Sequence, residues 1–316
     1  MRHSAMAAAA IIAASVFVGP SCTKSETFED VPTPTDKKTV TFRCTGDFDI
    51  STHSFDAEKS YSVTMSENKN LCVSASLRSK TRSLTADGKA MTDLWVLDYM
   101  GDELTQTIHQ TSDDADFGAP TVNLDYGDHI IYFVASRGSS ATLDSDAKTL
   151  TFGRVSDTFW QSLAITVTST TDASRTVTLS RIVTKLKLIF TDAIPEGAST
   201  FNITPATWYY GIDYTTGSPT AATPNQTIPV NIPASEIGVS NEIVNIFGFS
   251  AVEEWTTDIA LDCQNSSGAI LGQAAITFAP FKRNRITSYS GPLFDRTRSM
   301  NLTLNDTWDD SYQATW

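Results

Sequence analysis

The stretch RTVTLSRIVTKLKLIF, residues 175–190, contains two alternating apolar patterns that are out of phase with each other. Val177 and Leu179 occupy alternate positions in its first part, whereas Leu186 and Leu188 alternate in its second part. Alternation with a period of two is typical of a β-strand that has one buried face. A change of phase inside one apolar run predicts a β-bulge or a crossing between two sheets.

Two lysines separate the apolar residues of the second pattern. Lys185 and Lys187 flank Leu186, so their side chains project from the opposite face of the same strand. Charged side chains are rarely buried without a partner. We therefore predict that this face of the strand is exposed to water.

Period-two alternation recurs along the chain, whereas no stretch of ten or more residues has the pattern of an amphipathic helix. Two runs are apolar throughout, LWVLDY (94–99) and HIIYFVA (129–135), which is typical of central strands. Because helical crossovers are missing, the chain is predicted to be all-β and to form antiparallel β-sandwiches. The alternating segments include KTVTFRC (38–44), LCVSASL (71–77), LAITVTS (163–169), DIALDC (258–263) and SMNLTLND (299–306).

Polar segments divide the chain into four predicted parts. The segment from residue 22 to 37 is polar and contains two prolines, so it is expected to be a flexible tether. The turn-rich TSTTDAS (168–174) precedes the phase change and marks a boundary between two sandwiches. The predicted parts are a signal peptide (1–21), the tether (22–37), an N-terminal β-sandwich (38–173) and a C-terminal β-sandwich (174–316).

The N-terminal sequence MRHSAMAAAAIIAASVFVGPSC has one arginine before an apolar run from Ala5 to Val18. This run is shorter than the roughly 20 apolar residues that span a bilayer, and small residues follow it, as in a signal peptide. Cys22 comes directly after the small residues. We expect cleavage before Cys22 and acylation of this cysteine, as in bacterial lipoproteins; secretion without a lipid is the alternative.

The charge of the chain limits its partners. The net charge is −13 over 316 residues, which disfavours binding to the phosphates of nucleic acids. Anionic membrane surfaces would repel such a chain, so membrane attachment is expected through the lipid alone. The hydrophobic content of 41% is sufficient for packed cores.

Three cysteines remain beside Cys22. An exported protein can form disulfides, and Cys44 and Cys72 are the candidate pair because both fall in the N-terminal sandwich. The alternative is that they stay free. Cys263 is expected to be a small buried apolar residue.

The sequence contains no catalytic, phosphate-binding or metal-binding motif. His53, His109 and His129 lie far apart, and His129 is expected to be a structural residue because it opens a central strand. Ser250 lies in GFSAV, which lacks the closing glycine of a hydrolase elbow. The acidic loop 109–118 is expected to be solvated, with a calcium site as the alternative. We predict no enzyme activity, no cofactor and no metal; an exported hydrolase that uses Ser250 is the weakest alternative.

The segment TWYYGIDY (207–214) concentrates four aromatic side chains: Trp208, Tyr209, Tyr210 and Tyr214. Such rings offer a large contact area at a low entropic cost and could bind a carbohydrate or a protein at the surface. In an alternating strand, however, every second ring points into the core. The core interpretation is favoured, and the surface contact remains the alternative.

Several segments together resemble the fimbrillin family of Bacteroidales outer-membrane fimbriae, and within it the minor subunits of the anchor type. The resemblance implies two transthyretin-like (Ig-like) β-sandwiches in tandem, export as a lipoprotein, and assembly into a fimbrium at the cell surface. The segments that carry it are TADGKAMTDLWVLDYM (85–100), YGDHIIYFVASRG (126–138), LSRIVTKLKLIFTDAIP (179–195), APFKRNRITSYSGPLF (279–294) and LNDTWDDSYQATW (304–316).

The resemblance also implies a mode of assembly. In polymerising subunits a protease cuts after an arginine and removes the first strand, and a strand of another subunit then fills the groove. The matching basic stretch is LRSKTRSL (77–84), in which Arg78 and Arg82 are the candidate cleavage sites. The candidate donor strand is the C-terminal segment with alternating Met300, Leu302 and Leu304.

Three functional hypotheses follow from these observations. The favoured one is an uncut fimbrial subunit that is anchored in the outer membrane through Cys22, joins or terminates a fimbria and supports adhesion. The second is a cleaved, polymerising shaft or tip subunit. The third is a surface lipoprotein that does not polymerise and binds glycans through the aromatic residues of segment 207–214. The expected partners are other fimbrial subunits by β-strand addition, the outer membrane, and a host or bacterial surface ligand.

Overall fold

The structure is a computed structural model that describes residues 37–46, 82–83, 91–138, 141–295 and 300–305. These residues belong to one compact unit that begins at Lys37. Nearly all of its regular structure is β-strand, and a single 3₁₀ turn, Ala234–Glu236, interrupts the strands. Across the described ranges, no helix has the length and apolar character needed to cross a membrane. The prediction of an all-β fold is confirmed.

Twenty strands make up the described part of the chain. The first ten are β1 (Lys37–Gly46), β2 (Arg82–Ser83), β3 (Asp93–Met100), β4 (Glu103–Thr111), β5 (Thr121–Asp125), β6 (Gly127–Ser136), β7 (Ala141–Asp144), β8 (Thr149–Phe152), β9 (Thr158–Val167) and β10 (Ser174–Arg181). The second ten are β11 (Val183–Phe190), β12 (Ala198–Pro205), β13 (Thr207–Asp213), β14 (Ser218–Pro224), β15 (Ile228–Asn231), β16 (Glu242–Phe249), β17 (Trp255–Asn265), β18 (Ile270–Phe281), β19 (Ile286–Gly291) and β20 (Asn301–Asn305).

The strands form one large sheet and three small ones. The large sheet has the order β2-β1-β10-β9-β6-β3-β4, and β5 pairs with β1 beside it. The small sheets have the orders β16-β11-β19-β20, β15-β12-β17-β18 and β14-β13-β8-β7.

The phase change in the stretch 175–190 is a crossing between sheets, which is one of the two predicted alternatives. β10 ends at Arg181 in the large sheet, and β11 begins at Val183 in the sheet of β16 and β19. Only Ile182 lies between them, and it is buried. Because the two strands use opposite phases, consecutive parts of one extended segment bury their side chains in different cores.

Two apolar cores lie on either side of this crossing. The first core collects residues of β1, β3, β5, β6, β9 and β10, among them Val177 and Leu179. The second core collects residues of β8, β11 to β13 and β15 to β19, among them Leu186 and Leu188. Strands of the large sheet therefore form the first core, and strands of the small sheets form most of the second.

Strands β3 and β6 contribute to both cores, which explains why their sequences are apolar throughout. In β3, Leu94 and Val96 belong to the first core, whereas Leu97 and Tyr99 belong to the second. Both strands have neighbours on two sides in the large sheet. The prediction that 94–99 and 129–135 are central strands is confirmed.

A parallel pairing recurs around the two cores. β1 pairs in parallel with β10 around the first core, and β11 pairs in parallel with β19 around the second. The predicted boundary at residue 174 coincides with the start of β10, but β10 is hydrogen bonded to β1 and β9 in the large sheet. The division into two tandem domains and their transthyretin-like topology stay predictions.

A buried ion pair holds the chain at the crossing. The Arg181 guanidinium donates to Asp157 through Nε at 2.7 Å and through a terminal nitrogen at 3.1 Å. Its other terminal nitrogen donates to the side-chain oxygen of Asn284, 3.1 Å away, in the turn before β19. The guanidinium also lies over the ring of Phe159. Arg181 thus links the end of the large sheet to the second core.

We predict that Arg181→Met lowers the free energy of unfolding by about 3–5 kcal/mol, because it leaves the buried carboxylate of Asp157 without its ion-pair partner. The control is Lys37→Met, which breaks the exposed pair of Lys37 and Asp125 and should cost at most about 1 kcal/mol. Chemical denaturation of both variants measures the difference. Equal losses would show that the ion pair at the crossing does not act as a structural link.

Candidate functional site

Strand β1 is hydrogen bonded along both of its sides. On one side the Thr41 amide donates to the Ala173 carbonyl at 2.9 Å, next to the parallel register with β10. On the other side the Phe42 and Cys44 amides donate to the carbonyls of Pro120 and Gly118, each at 2.9 Å. Strand β1 is therefore internal, and backbone groups of the strands that pair with it, β2, β5 and β10, would be unpaired without it.

The inward face of β1 is fully covered. Val40, Phe42 and Cys44 are at most 1% exposed and belong to the first core. The Phe42 ring meets Phe133 of β6 edge to face, with 5.4 Å between ring centroids. Burial raises the pKa of the Cys44 thiol to about 12. Cys44 is consequently a packing residue, and its candidate disulfide partner Cys72 lies outside the described residues.

The structure describes one of the two candidate cleavage sites. Arg82 lies in β2, where its backbone pairs with Gly46 of β1 in an antiparallel register. Cleavage after Arg82 stays a prediction. Arg78 and the lipidation site Cys22 lie outside the described residues.

The candidate donor strand β20 lies at an edge of its sheet. It pairs antiparallel with β19, from Ile286 opposite Asn305 to Ser290 opposite Asn301, and it has no second neighbour among the described strands. The half-buried Met300 and Leu302 pack against the second core, whereas Leu304 is exposed. β20 thus has one open side and a partly uncovered apolar face.

The turn before β20 is held by one carboxylate. Asp192, which follows β11, accepts hydrogen bonds from the amides of Leu293, Phe294 and Asp295 at 3.0, 2.6 and 3.0 Å. These bonds fix the chain directly after β19. Met300, which precedes β20, lines a groove.

That groove lies between β18 and the last two strands and has a volume of about 490 Å³. It is lined by Ile276 of β18, Tyr289 of β19, and Leu293 and Met300 beyond it. β18 is the outer strand of its own sheet in the described part of the chain. The outer strand β18 therefore lies beside a partly apolar groove, and Met300, directly before β20, lies at the same groove.

Phe278 is an exposed aromatic residue on β18, and no pattern in the sequence predicted its exposure. Phe278 is 75% exposed and has a positive φ of 53°, a left-handed conformation that is strained for a bulky side chain. Its amide donates to the carboxylate of Asp258 at 2.8 Å, where the register between β17 and β18 shifts. A β-bulge thus turns the ring outward.

The aromatic segment 207–214 lies mostly inside the second core, so the surface-contact alternative is wrong for Trp208 and Tyr214. Both are fully buried. The Trp208 indole donates to the Phe247 carbonyl at 3.0 Å, and the Tyr214 hydroxyl is 2.7 Å from that of Tyr99. Tertiary packing therefore satisfies the polar atoms of both rings internally.

The other two rings of the segment are placed differently. Tyr209 is half-buried and meets Trp255 edge to face, with 5.3 Å between centroids. Tyr210 is 8% exposed, and its hydroxyl has no hydrogen-bond partner among the described residues. Burial raises the pKa of Tyr210 to about 12.

Three further residues considered in the sequence analysis, His129, Cys263 and Ser250, are buried in the structure. His129 is buried, with Nδ1 2.9 Å from the Asp98 carboxylate and Nε2 2.9 Å from the Asp125 carbonyl, so the prediction of a structural histidine is confirmed. Cys263 is fully buried, also as predicted. Ser250 is buried and accepts a hydrogen bond from the Trp255 indole at 2.9 Å.

The described residues contain no group of three or more His, Cys, Asp or Glu side chains arranged to hold a metal ion. The acidic loop at 109–118 is instead organised by its own hydrogen bonds. The Asp114 carboxylate accepts from the Thr111 amide at 2.6 Å. The Gln110 side chain accepts from the Gly118 amide at 3.2 Å.

The prediction that Lys185 and Lys187 face water is wrong. Lys185 is only 8% exposed and Lys187 is half-buried, because the outer face of β11 is covered by distant segments of the chain. Alternation correctly placed the lysines opposite the second core. It contained no signal for the segments that cover them.

These features define a multi-sheet all-β protein with two apolar cores and an internal N-terminal strand. The chain belongs to a family of unknown function, DUF6562, whose family model matches residues 140–316. The match begins one residue before β7 and spans all strands from β7 to β20. No curated protein matches the chain.

Solved structures of low sequence identity resemble the chain over most of its length. A Bacteroides thetaiotaomicron protein proposed to bind polysaccharides is 7% identical, over 85% of this chain and 96% of its own, with a TM-score of 0.49. A protein of the same species proposed to be an adhesin is 10% identical, over 86% and 97%, with a TM-score of 0.47. A fimbrial assembly protein from Parabacteroides distasonis is 11% identical, over 85% and 95%, with a TM-score of 0.43. Values this low establish neither a shared activity nor a shared ligand.

We predict that Gly248→Ala destabilises the second core by about 1–3 kcal/mol through overpacking. A Cβ at this position would lie 2.5 Å from Cε2 of Trp208, which is fully buried and cannot move away. The control is Gly153→Ala, where a Cβ would meet nothing within 4 Å. Thermal denaturation should separate the two variants, and equal midpoints would contradict the tight contact between Trp208 and Gly248.

Proposed function

We propose that the chain is a cell-surface subunit of a fimbrial type, anchored in the outer membrane through a lipid on Cys22, which terminates or joins a fimbria and supports adhesion. The resemblance of its sequence to Bacteroidales fimbrillins supports this proposal. In this role the subunit keeps its N-terminal strand, because removal of that strand would also remove the lipid.

The observation that carries the proposal is the position of β1. The strand that follows the tether is hydrogen bonded on both sides and buries its whole apolar face in the first core. The pairing of Arg82 with β1 supports retention of the strand. Because β1 occupies this position in the sheet, a strand of another subunit cannot add there. A subunit that terminates a fimbria requires this.

The other end of the described chain supplies an edge for assembly. Among the described strands β20 has one neighbour, and its Leu304 is exposed. A strand of a neighbouring subunit can therefore add to its other side, or β20 itself can be donated. In either case main-chain hydrogen bonds supply much of the affinity, and the alternate side chains supply specificity. The expected partner is another subunit of the same filament.

We predict that the protein isolated from outer membranes of its own host begins at an acylated Cys22. Mass spectrometry of the N-terminal peptide measures this directly. A start just after Arg78 or Arg82 would instead indicate a cleaved, polymerising shaft or tip subunit. An unmodified start near Cys22 would contradict the anchor.

We predict that Leu304→Asp abolishes association with neighbouring subunits and leaves the fold of the subunit intact. Leu304 is already exposed, so the substitution should change the free energy of unfolding of the subunit by less than about 0.5 kcal/mol. When a strand of another subunit is added, however, the new charge would become buried without a partner. The control is Asn301→Asp, which adds the same charge to an exposed position of the same strand.

Co-purification of fimbrial proteins with the tagged full-length chain from its host measures the effect. The wild type and Asn301→Asp should retain the same partners, and Leu304→Asp should lose them. Equal recovery from all three proteins would show that β20 does not form the contact.

A further inference from the structure

Strand β18 has one paired side and one open side in the described part of the chain. It pairs antiparallel with β17 and has no second neighbour among the described strands. Five consecutive residues of β18, 273–277, line the groove of about 490 Å³. Consecutive residues of a strand point to opposite faces of its sheet, so a groove that all five line runs along the edge of the strand. The edge of β18 is therefore accessible from this groove.

The sequence of β18 lacks the charges that commonly protect an open strand edge. ILGQAAITFAPF, Ile270–Phe281, contains no acidic or basic residue, although the chain has a net charge of −13. β18 is also the longest of the described strands. A long edge strand without charges pairs readily with a further strand. The composition of β18 is thus typical of an edge that is covered in an assembly.

The regular part of β18 is centred on Ala274. Between two shifts in the register with β17, the residues Gly272–Ile276 pair without interruption with Ile259–Cys263. The shifts lie on either side of this part, and Pro280 lies beyond the second one. Bulges bend a strand and interrupt its pairing. An added strand can therefore follow β18 in the part around Ala274.

Two exposed apolar side chains lie at equal distances from this centre. Ile270 is 52% exposed and Phe278 is 75% exposed, and each lies four residues from the centre. Ile270 opposes Gln264, whose neighbour Cys263 points into the core, and the amide of Phe278 donates to the exposed Asp258. Both side chains therefore lie on the face of the sheet that points away from the second core.

The conformation of Phe278 indicates a role outside the isolated chain. Its positive φ of 53° is strained for a bulky residue. Of the large apolar side chains in the described ranges, that of Phe278 is the most exposed, so burial within the chain does little to offset the strain. Strained residues persist mainly where function requires their geometry. A contact with a second molecule provides a physical reason for this conformation.

We infer that two copies of the chain pair through β18, antiparallel to each other, about a two-fold axis at Ala274. In this register Gln273 of each copy opposes Ala275 of the other. Ile270 of each copy likewise opposes Phe278 of the other, so the exposed apolar side chains cover one another. An aromatic ring and a β-branched side chain form a favourable cross-strand pair. One register thus matches both the strand edges and the exposed side chains.

The lack of charge in β18 suits a symmetric pairing. A two-fold axis brings each residue near its own copy, so a charge close to the axis would meet a like charge. The acidic residues Asp258 and Asp262 belong to the next strand, β17. Because each copy is acidic as a whole, salt should strengthen the dimer by screening the remaining repulsion.

This inference goes beyond the proposed function. The contact uses no residue of β1 or β20, and it does not depend on a lipid at Cys22. The dimer can therefore be absent while the anchor is present, and the anchor can be absent while the dimer is present.

Sedimentation equilibrium of the full-length protein, in a detergent of matched density, measures the association. The interface of one strand pair is small, so we expect a dimer with a dissociation constant of about 1–100 μM. The constant should fall at least about threefold between about 0.05 and 0.5 M salt. A protein that is still monomeric at about 200 μM, or a dimer that salt weakens, would overturn the inference.

Two charge variants test the register. Gln273→Lys alone and Ala275→Glu alone should each weaken the dimer about threefold or more, because like charges approach across the axis. In an equimolar mixture the new lysine of one variant lies directly opposite the new glutamate of the other. The mixed dimer should therefore be at least about threefold tighter than either variant alone. Lack of this preference would contradict the register.

The control for these variants is Thr107→Lys. Thr107 is exposed on β4, which is the outer strand of the large sheet in the described part of the chain. The substitution makes the same change of net charge as Gln273→Lys at a different strand edge. Thr107→Lys should dimerise like the wild type.

Phe278→Asn separates the contact from the fold. Asparagine adopts a positive φ more readily than phenylalanine, so the thermal midpoint of the variant should stay or rise. The dimer should weaken about tenfold or more, because an aromatic anchor is lost. If all three β18 variants dimerise like the wild type, the inference is wrong. A monomeric wild type that loses a co-purifying protein on Ala275→Glu would show that a different protein, and not a second copy, occupies this edge.

Discussion

The architecture depends on a single residue step, at Ile182, where an extended chain leaves one sheet and enters another. β10 and β11 bury opposite faces of one extended segment, and the second core receives the apolar side chains of β11. The bidentate ion pair of Arg181 with Asp157, together with the bond from Arg181 to Asn284, fixes this step.

The crossing also determines which face of β11 carries its lysines. Because β11 directs Leu186 and Leu188 into the second core, it must direct Lys185 and Lys187 to its other face. In a simple sandwich that face would be solvated. Here the segment that joins β8 to β9, which includes Asp157, lines one cavity together with both lysines.

The terminal strands have opposite roles in the fold. β1 is internal, with hydrogen bonds on both sides and a fully buried face, whereas β20 is a short edge strand with an exposed leucine. Both have alternating apolar residues, so their sequences alone do not distinguish them. Their difference arises from the parallel pairing that recurs in each half of the chain. β1 begins the first half and pairs in parallel with β10, and β11 begins the second half and pairs in parallel with β19. β20 comes after this parallel pair and adds to the far side of β19.

The sequence by itself determined the strand type, the central strands at 94–99 and 129–135, and the change of phase inside 175–190, because these depend on local periodicity. The structure decided that this change is a crossing between sheets and not a β-bulge. It also indicated the structural role of His129 and the buried state of Cys263. Only the tertiary structure decided which polar residues are covered. Lys185 and Lys187 acquire their surroundings from distant segments of the chain, and Phe278 is turned outward by a bulge in the pairing of β17 with β18. Alternation determines on which face a side chain lies, but what packs against that face is set by long-range contacts.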